Sequence, residues 1–140
     1  MSTAQDKHPA VEKILKISEA HVQQTVVQFL ELDGWRAIRT DPVSDRSRGK
    51  GFGELGMPDY LFIRYQPEKG HCVQFPFPLN QGQIAEVLWT EFKRKRGLRK
   101  DHQVRWHQAE AARGALVLTV DDIDEFTRWY KASGLCQRIL

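Results

Sequence analysis

The spacing of apolar residues changes period in an ordered way along the chain. In SEAHVQQTVVQFLELDG, residues 18–34, Val22, Val26, Val27, Phe29, Leu30 and Leu32 recur at helical spacing and form one stripe. Ser18 is placed to cap this helix and Gly34 to end it. Glu19 falls in the first turn, where the helix dipole favours an anion. Residues 1–17 begin polar and hold only a short amphipathic piece, VEKILKI. They are expected to be a mobile segment ahead of a single domain at 18–140.

Trp35 to Arg39 alternates as a strand does. Residues 41–56 are rich in Gly, Ser and charge, which predicts a loop long enough to suggest a function. PDYLFIRY, residues 58–65, is a strand with Pro58 at its first position, where a missing N–H is tolerated. Residues 66–85, with three Pro and two Gly, read as an irregular insertion. A short strand around Cys72 to Phe75 fits within it, and Phe75 and Phe77 are placed to pack on the core or on a second subunit. EVLWTEFKR, residues 86–94, is a further strand. Val87, Trp89, Glu91 and Lys93 share one face, Leu88, Thr90 and Phe92 the other. The first of these reads as the core face, because Val87 and Trp89 lie on it. Asp101 can cap a helix ending at Gly114, and Ala115 to Val120 reads as a buried strand. Asp121 can cap a last helix carrying Ile123, Phe126, Trp129 and Tyr130 at helical spacing. The order of elements predicts an α/β domain, a mixed sheet with helices on both sides.

Length and composition narrow this only slightly: 140 residues suit one domain with its own core. The two cysteines, Cys72 and Cys136, show no CxxC spacing, which weakens zinc and redox-motif readings. With no apolar run long enough for a membrane and no secretory h-region, a cytoplasmic, reducing setting is expected. The net charge of +3 is mild, but Lys93, Arg94, Lys95, Arg96, Arg99 and Lys100 fall within eight residues. A solvated loop explains such a run; so does a phosphate partner, to which cations of this kind bind. Arg46, Arg48 and Lys50 add a second basic group in the 41–56 loop, fit either to solubilise it or to order on DNA.

Glu91 and Lys93, two apart on a strand, leave the same face. Asp59 sits just inside another strand, and if the strands are neighbours it converges on Glu91. Two convergent carboxylates repel, and a divalent cation resolves the repulsion. Oxygen ligands suit Mg²⁺ or Mn²⁺. Lys93 then stands beside the metal, able to orient water or offset charge on a phosphate. The plainer alternative is an ordinary ion-pair cluster. Glu54 and Asp45 are more simply solvated loop acids, and His21, His102 and His107 packing or surface residues.

Met57-Pro58-Asp59 followed by Glu91-Phe92-Lys93 resembles the PD-(D/E)XK nuclease pattern. The helix opening Ser18-Glu19-Ala20-His21-Val22-Gln23-Gln24, the Gly34-Trp35 pair, Gly56-Met57-Pro58-Asp59-Tyr60-Leu61 and Asp101-His102-Gln103-Val104-Arg105-Trp106-His107 extend the likeness to the VRR-type nuclease domain, over about residues 18–126. The resemblance implies a restriction-endonuclease-like core. It implies Asp59 and Glu91 as metal carboxylates, the backbone carbonyl of Phe92 as a further ligand and Lys93 as the catalytic lysine. Glu19 would reach the metal directly or through water, and Gln103 would lie over the site and help hold the lysine or a phosphate. Residues 66–85 exceed the family's usual short connection and suggest an added hairpin. The implied activity is metal-dependent endonuclease cleavage of DNA, selective for branched forms such as four-way junctions or flaps. A homodimer in a phage or bacterial cytoplasm, with no small-molecule cofactor, completes the expectation. Rival readings are a sequence-specific restriction-like enzyme and an inactive DNA-binding module.

Overall fold

The structure is a computed structural model that describes residues 9–40, 53–72, 74, 84–94 and 98–139, with side chains from Glu19 onward. Three helices and four strands follow in the expected order: α1 (Pro9–Leu32), β1 (Arg36–Arg39), β2 (Tyr60–Arg64), β3 (Glu86–Phe92), α2 (Asp101–Ala112), β4 (Leu116–Val120) and α3 (Ile123–Ala132). A 3₁₀ turn, Pro67–Lys69, follows β2. The strands form one mixed sheet in the order β1-β2-β3-β4. The first two pairings are antiparallel, and β3 pairs with β4 in parallel through the α2 crossover. The chain is therefore α/β, with its sheet flanked by three helices.

The main core lies on the sheet face that carries Phe62, Leu88, Phe92 and Val120. Helix α1 brings Val22, Val26 and Leu30 to it, and α3 brings Phe126 and Tyr130. These positions lie four apart along each helix and so share a face. Edge-to-face contacts of Phe29 with Phe126 and Tyr130 join the two helices. The opposite face, expected to be the core side of β3, is the thinner one. Val87 there is 43% exposed, and Trp89 is half-buried under α2, its ring 5.0 Å from that of Trp106 in a T-shaped contact. Both faces of β3 are covered, so alternation alone does not mark the core side.

Several boundaries differ from expectation. Helix α1 starts at Pro9 and runs through Ser18, which is an interior residue and not a cap. Asp101 is the first helical residue of α2, and Lys100 holds the cap position. Asp122, not Asp121, caps α3, its side chain accepting from the Glu125 N–H at 2.9 Å. Strand β4 is an edge strand with Leu116 39% exposed, not a fully buried one. Among the described residues, no helix is long and apolar enough to cross a membrane. Most of the 41–56 loop and half of the 66–85 insertion, with Phe75 and Phe77, lie outside the described residues.

A buried carboxylate ties the chain ends of this core together. Asp33, fully buried at the C-terminus of α1, accepts from the Tyr130 hydroxyl and from three consecutive N–H groups, Gln137, Arg138 and Ile139. Arg64 also pairs with it at 3.1 Å and lies over the Trp35 ring. Burial pushes Asp33 up, but the Tyr130 hydroxyl and the three amides outweigh it and hold the carboxylate below its ordinary value.

Candidate active site

The site forms where β2 begins and β3 ends. Antiparallel register pairs Tyr60 with Thr90 and Leu61 with Trp89. One step further, the same register sets Asp59 opposite Glu91. Side chains of paired residues share a face, so both carboxylates leave on the α2 side of the sheet. Lys93 follows on that face, its Nζ 3.2 Å from Glu91 Oε1. The structure thus brings together the three residues the sequence singled out.

The proline ahead of Asp59 shapes this corner. Continuing the register sets Pro58 opposite Phe92, but Pro58 has no N–H to donate to the Phe92 carbonyl. The Phe92 N–H turns instead to Asp59 Oδ2, at 3.0 Å. In an extended strand a residue's N–H and C=O leave the same edge, so the Phe92 carbonyl also points toward Asp59. Across the other edge, Thr40 fixes the corner: its N–H donates to the Asp59 carbonyl at 2.9 Å and its hydroxyl to that of Pro58.

Helix α2 closes the site from above. Gln103 Nε2 donates to Glu91 Oε1 at 2.9 Å, and Gln103 Oε1 accepts from the Lys100 N–H at 2.9 Å. The glutamine therefore holds the carboxylate to the helix start, while Lys93 meets the same oxygen from its own strand. The segment before Asp59 is docked on this turn. Gly56 has φ +87°, and a Cβ there would stand 2.3 Å from the His102 carbonyl oxygen. Only glycine fits that backbone and that approach. Glu54 accepts from the Trp106 indole N–H at 2.8 Å, so this loop acid serves the docking of its loop. Neither role was evident in the sequence; the Gly56-Met57-Pro58-Asp59 run was the only local sign.

Glu91 is 3% exposed, and its Oε2 is buried with no hydrogen-bond partner among the described residues. Burial first, and then the negative charge of Asp59, push its carboxyl up to about 7 against the opposing pull of Lys93. Asp59 is also raised, by burial, although the Phe92 N–H, Lys93 and Arg39 act the other way. A charged pair so placed is costly unless a cation lies between its members. The donor set fits a hard divalent ion: two carboxylates and a strand carbonyl are all oxygen ligands.

The remaining expected residues divide. Among the described residues no three His, Cys, Asp or Glu side chains gather in a metal-holding group, so Glu19 does not join Asp59 and Glu91. Glu19 lines a separate groove of about 660 Å³ between α1 and the sheet, with Gln23, Arg39 and Tyr60. Arg94, Arg99 and Lys100 are exposed beside the site; Lys95, Arg96, Arg46, Arg48 and Lys50, with Asp45, lie outside the described residues. No protein-family model matches the chain, and comparisons with curated proteins and with solved structures find no significant match.

Proposed function

We propose that the protein is a metal-dependent DNA endonuclease with a restriction-endonuclease-like core of the VRR type. The observation that carries this reading is Glu91: a carboxylate buried opposite Asp59, with one oxygen unpartnered among the described residues and a lysine on the other. Structural ion pairs are normally satisfied on both sides. This one leaves an acceptor aimed into a polar corner, which is what a cation site needs.

In this reading Asp59, Glu91 and the Phe92 carbonyl hold Mg²⁺ or Mn²⁺. An ion held there would offset the charge of the carboxylates, polarise the phosphate and make water a competent nucleophile near neutral pH. Gln103 fixes the rotamer of Glu91 so that Oε2 stays directed at the site. Lys93, free to shift from Glu91 once the carboxylate has a second partner, orients water or offsets charge on a phosphate oxygen. Hydrolysis adds water across one P–O ester bond, leaving a phosphate and an alcohol. Arg94, Arg99 and Lys100 face the strand backbone and position it without reading sequence. Glu19 would act from its groove through water.

Branched DNA, four-way junctions or flaps, is the substrate proposed, cut by a homodimer whose two-fold axis sets two sites against two strands. The support is the family resemblance carried by Met57-Pro58-Asp59 and Glu91-Phe92-Lys93. The test is cleavage of labelled duplex, flap and four-way-junction DNA with Mg²⁺ or Mn²⁺. Wild type is expected to cut branched DNA, while Asp59→Asn and Lys93→Ala bind it without cutting. Cleavage at one duplex sequence would favour a restriction-like enzyme, and binding without cleavage under any metal an inactive binding module.

A further inference from the structure

His107 lies one helical turn after Gln103, on the same face of α2. It is 4% exposed, yet its Nε2 has no hydrogen-bond partner among the described residues. Its Nδ1 stands 3.2 Å from Nη1 of Arg99, an exposed residue of the basic segment. A guanidinium only donates and keeps its proton. Nδ1 must therefore accept, and the ring proton sits on the unpartnered Nε2. Burying an unpaired N–H costs free energy that an apolar side chain of similar size would avoid. A phenyl ring could keep the edge-to-face contact with Trp106; the polar return among the described residues is an acceptor beneath the Arg99 guanidinium. The ring is kept neutral by its surroundings, since burial and then the charges of Arg99 and Lys93 lower its pKa to about 4. Both charges thus act on the same imidazole, and Arg99 touches it.

We propose that His107 is a positioning residue, a buried acceptor beneath Arg99 that holds the guanidinium to bind a phosphodiester of the DNA strand entering the site. This rests on the nuclease reading above. A guanidinium with one N–H anchored keeps the others for bidentate contact with phosphate, at less entropic cost than an untethered side chain. Among the described members of the basic run, Arg94 and Lys100 have no such buried anchor for their side chains. Arg99 is thereby set apart as the ordered phosphate contact.

The experiment is the salt dependence of binding of a labelled four-way-junction DNA in EDTA, with thermal melts to establish folding. One lost phosphate contact lowers the slope of log K against log salt by ~0.9. His107→Phe and Arg99→Ala are each expected to lower it by that amount, with no further loss in the double variant. His107→Gln, which keeps an acceptor, is expected to restore much of the slope. A folded His107→Phe protein with the wild-type slope overturns the proposal. Arg99→Ala leaves the core untouched, so an unchanged slope there overturns it even where His107→Phe does not fold. If wild type binds no DNA, the nuclease reading fails as well; if wild type binds and cuts while both variants keep its slope, only the His107 assignment fails.

Discussion

Asp33 and Glu91 are both buried carboxylates, and they meet opposite fates. Asp33 has the Tyr130 hydroxyl, three backbone amides and Arg64 around it, and its pKa is held down. Glu91 has Gln103 and Lys93 on one oxygen, no hydrogen-bond partner among the described residues on the other and Asp59 across the strand, and its pKa is pushed up to about 7. Burial acts on both in the same direction. Hydrogen bonding decides the outcome. The satisfied carboxylate is a fastener that joins α1, β2, α3 and the C-terminal segment. The unsatisfied one is a site under tension, and the tension makes it a place for a cation.

The comparison breaks most visibly at Asp33. Asp33→Ala removes the carboxylate that five donors share, and leaves Arg64 with the residue 33 backbone carbonyl at 3.3 Å and Glu86 at 2.5 Å. A loss of about 3–5 kcal/mol is expected, read as a large fall in melting temperature. A melt within a few degrees of wild type would show that Asp33 is not the fastener.

Glu91→Gln should do the reverse in the metal-free protein. A folded pKa raised from 4.5 to about 7 means that the folded state holds the proton more tightly. The stability it contributes is fully present below the unfolded value and is lost as pH rises through about 7. The loss is on the order of 3 kcal/mol. His107 works in the opposite sense: with its pKa lowered to about 4, stability falls as pH drops from 6.5 toward 4. The two windows overlap, so the Glu91 contribution is read from the difference between wild type and Glu91→Gln. That difference in melting temperature should favour the glutamine at pH 8 and vanish near pH 4. A constant difference across the range would contradict the raised pKa. Asp33, with its pKa lowered, adds stability that is lost only in acid, as pH falls through its folded value.

Gly56→Ala sharpens the account of how Asp59 is placed. The added Cβ meets the His102 carbonyl at a φ of +87°, so the loop must lift from α2 at a cost of about 1–3 kcal/mol. Cleavage is expected to fall more than stability does, because the carboxylate moves with the loop; equal losses would make Gly56 merely structural. Trp106→Phe has the smallest effect. It removes the bond to Glu54 and keeps a ring against Trp89. About 1 kcal/mol is expected from chemical denaturation, and no loss would show that the contact is idle.

The same two carboxylates mark what the sequence could show. Asp59, Glu91 and Lys93 were legible because strand alternation and a proline fix faces and starts within a few residues. The order of elements was legible for the same reason. Asp33 was not: its partners lie about a hundred positions away, at Tyr130 and residues 137–139, and no local pattern encodes them. The core face of β3 was misread because Leu88-Thr90-Phe92 and Val87-Trp89-Glu91 are both apolar enough for cover, and only the helices choose between them. Ser18 resembled a cap because serine favours that role, yet a cap requires the helix to start there, and α1 starts at Pro9. The implied metal role of Glu19 rested on family resemblance; the structure sets its side chain in a groove with Arg39 and Tyr60.

The central claim is that Glu91 and Asp59 share a divalent cation. Calorimetric titration of Mn²⁺ into wild type, Glu91→Gln and Asp59→Asn, each with and without bound duplex DNA, tests it most directly. The account predicts saturable uptake at one site per chain in wild type, released by EDTA and lost in both variants while they remain folded. Equal Mn²⁺ uptake by wild type and Glu91→Gln would contradict it.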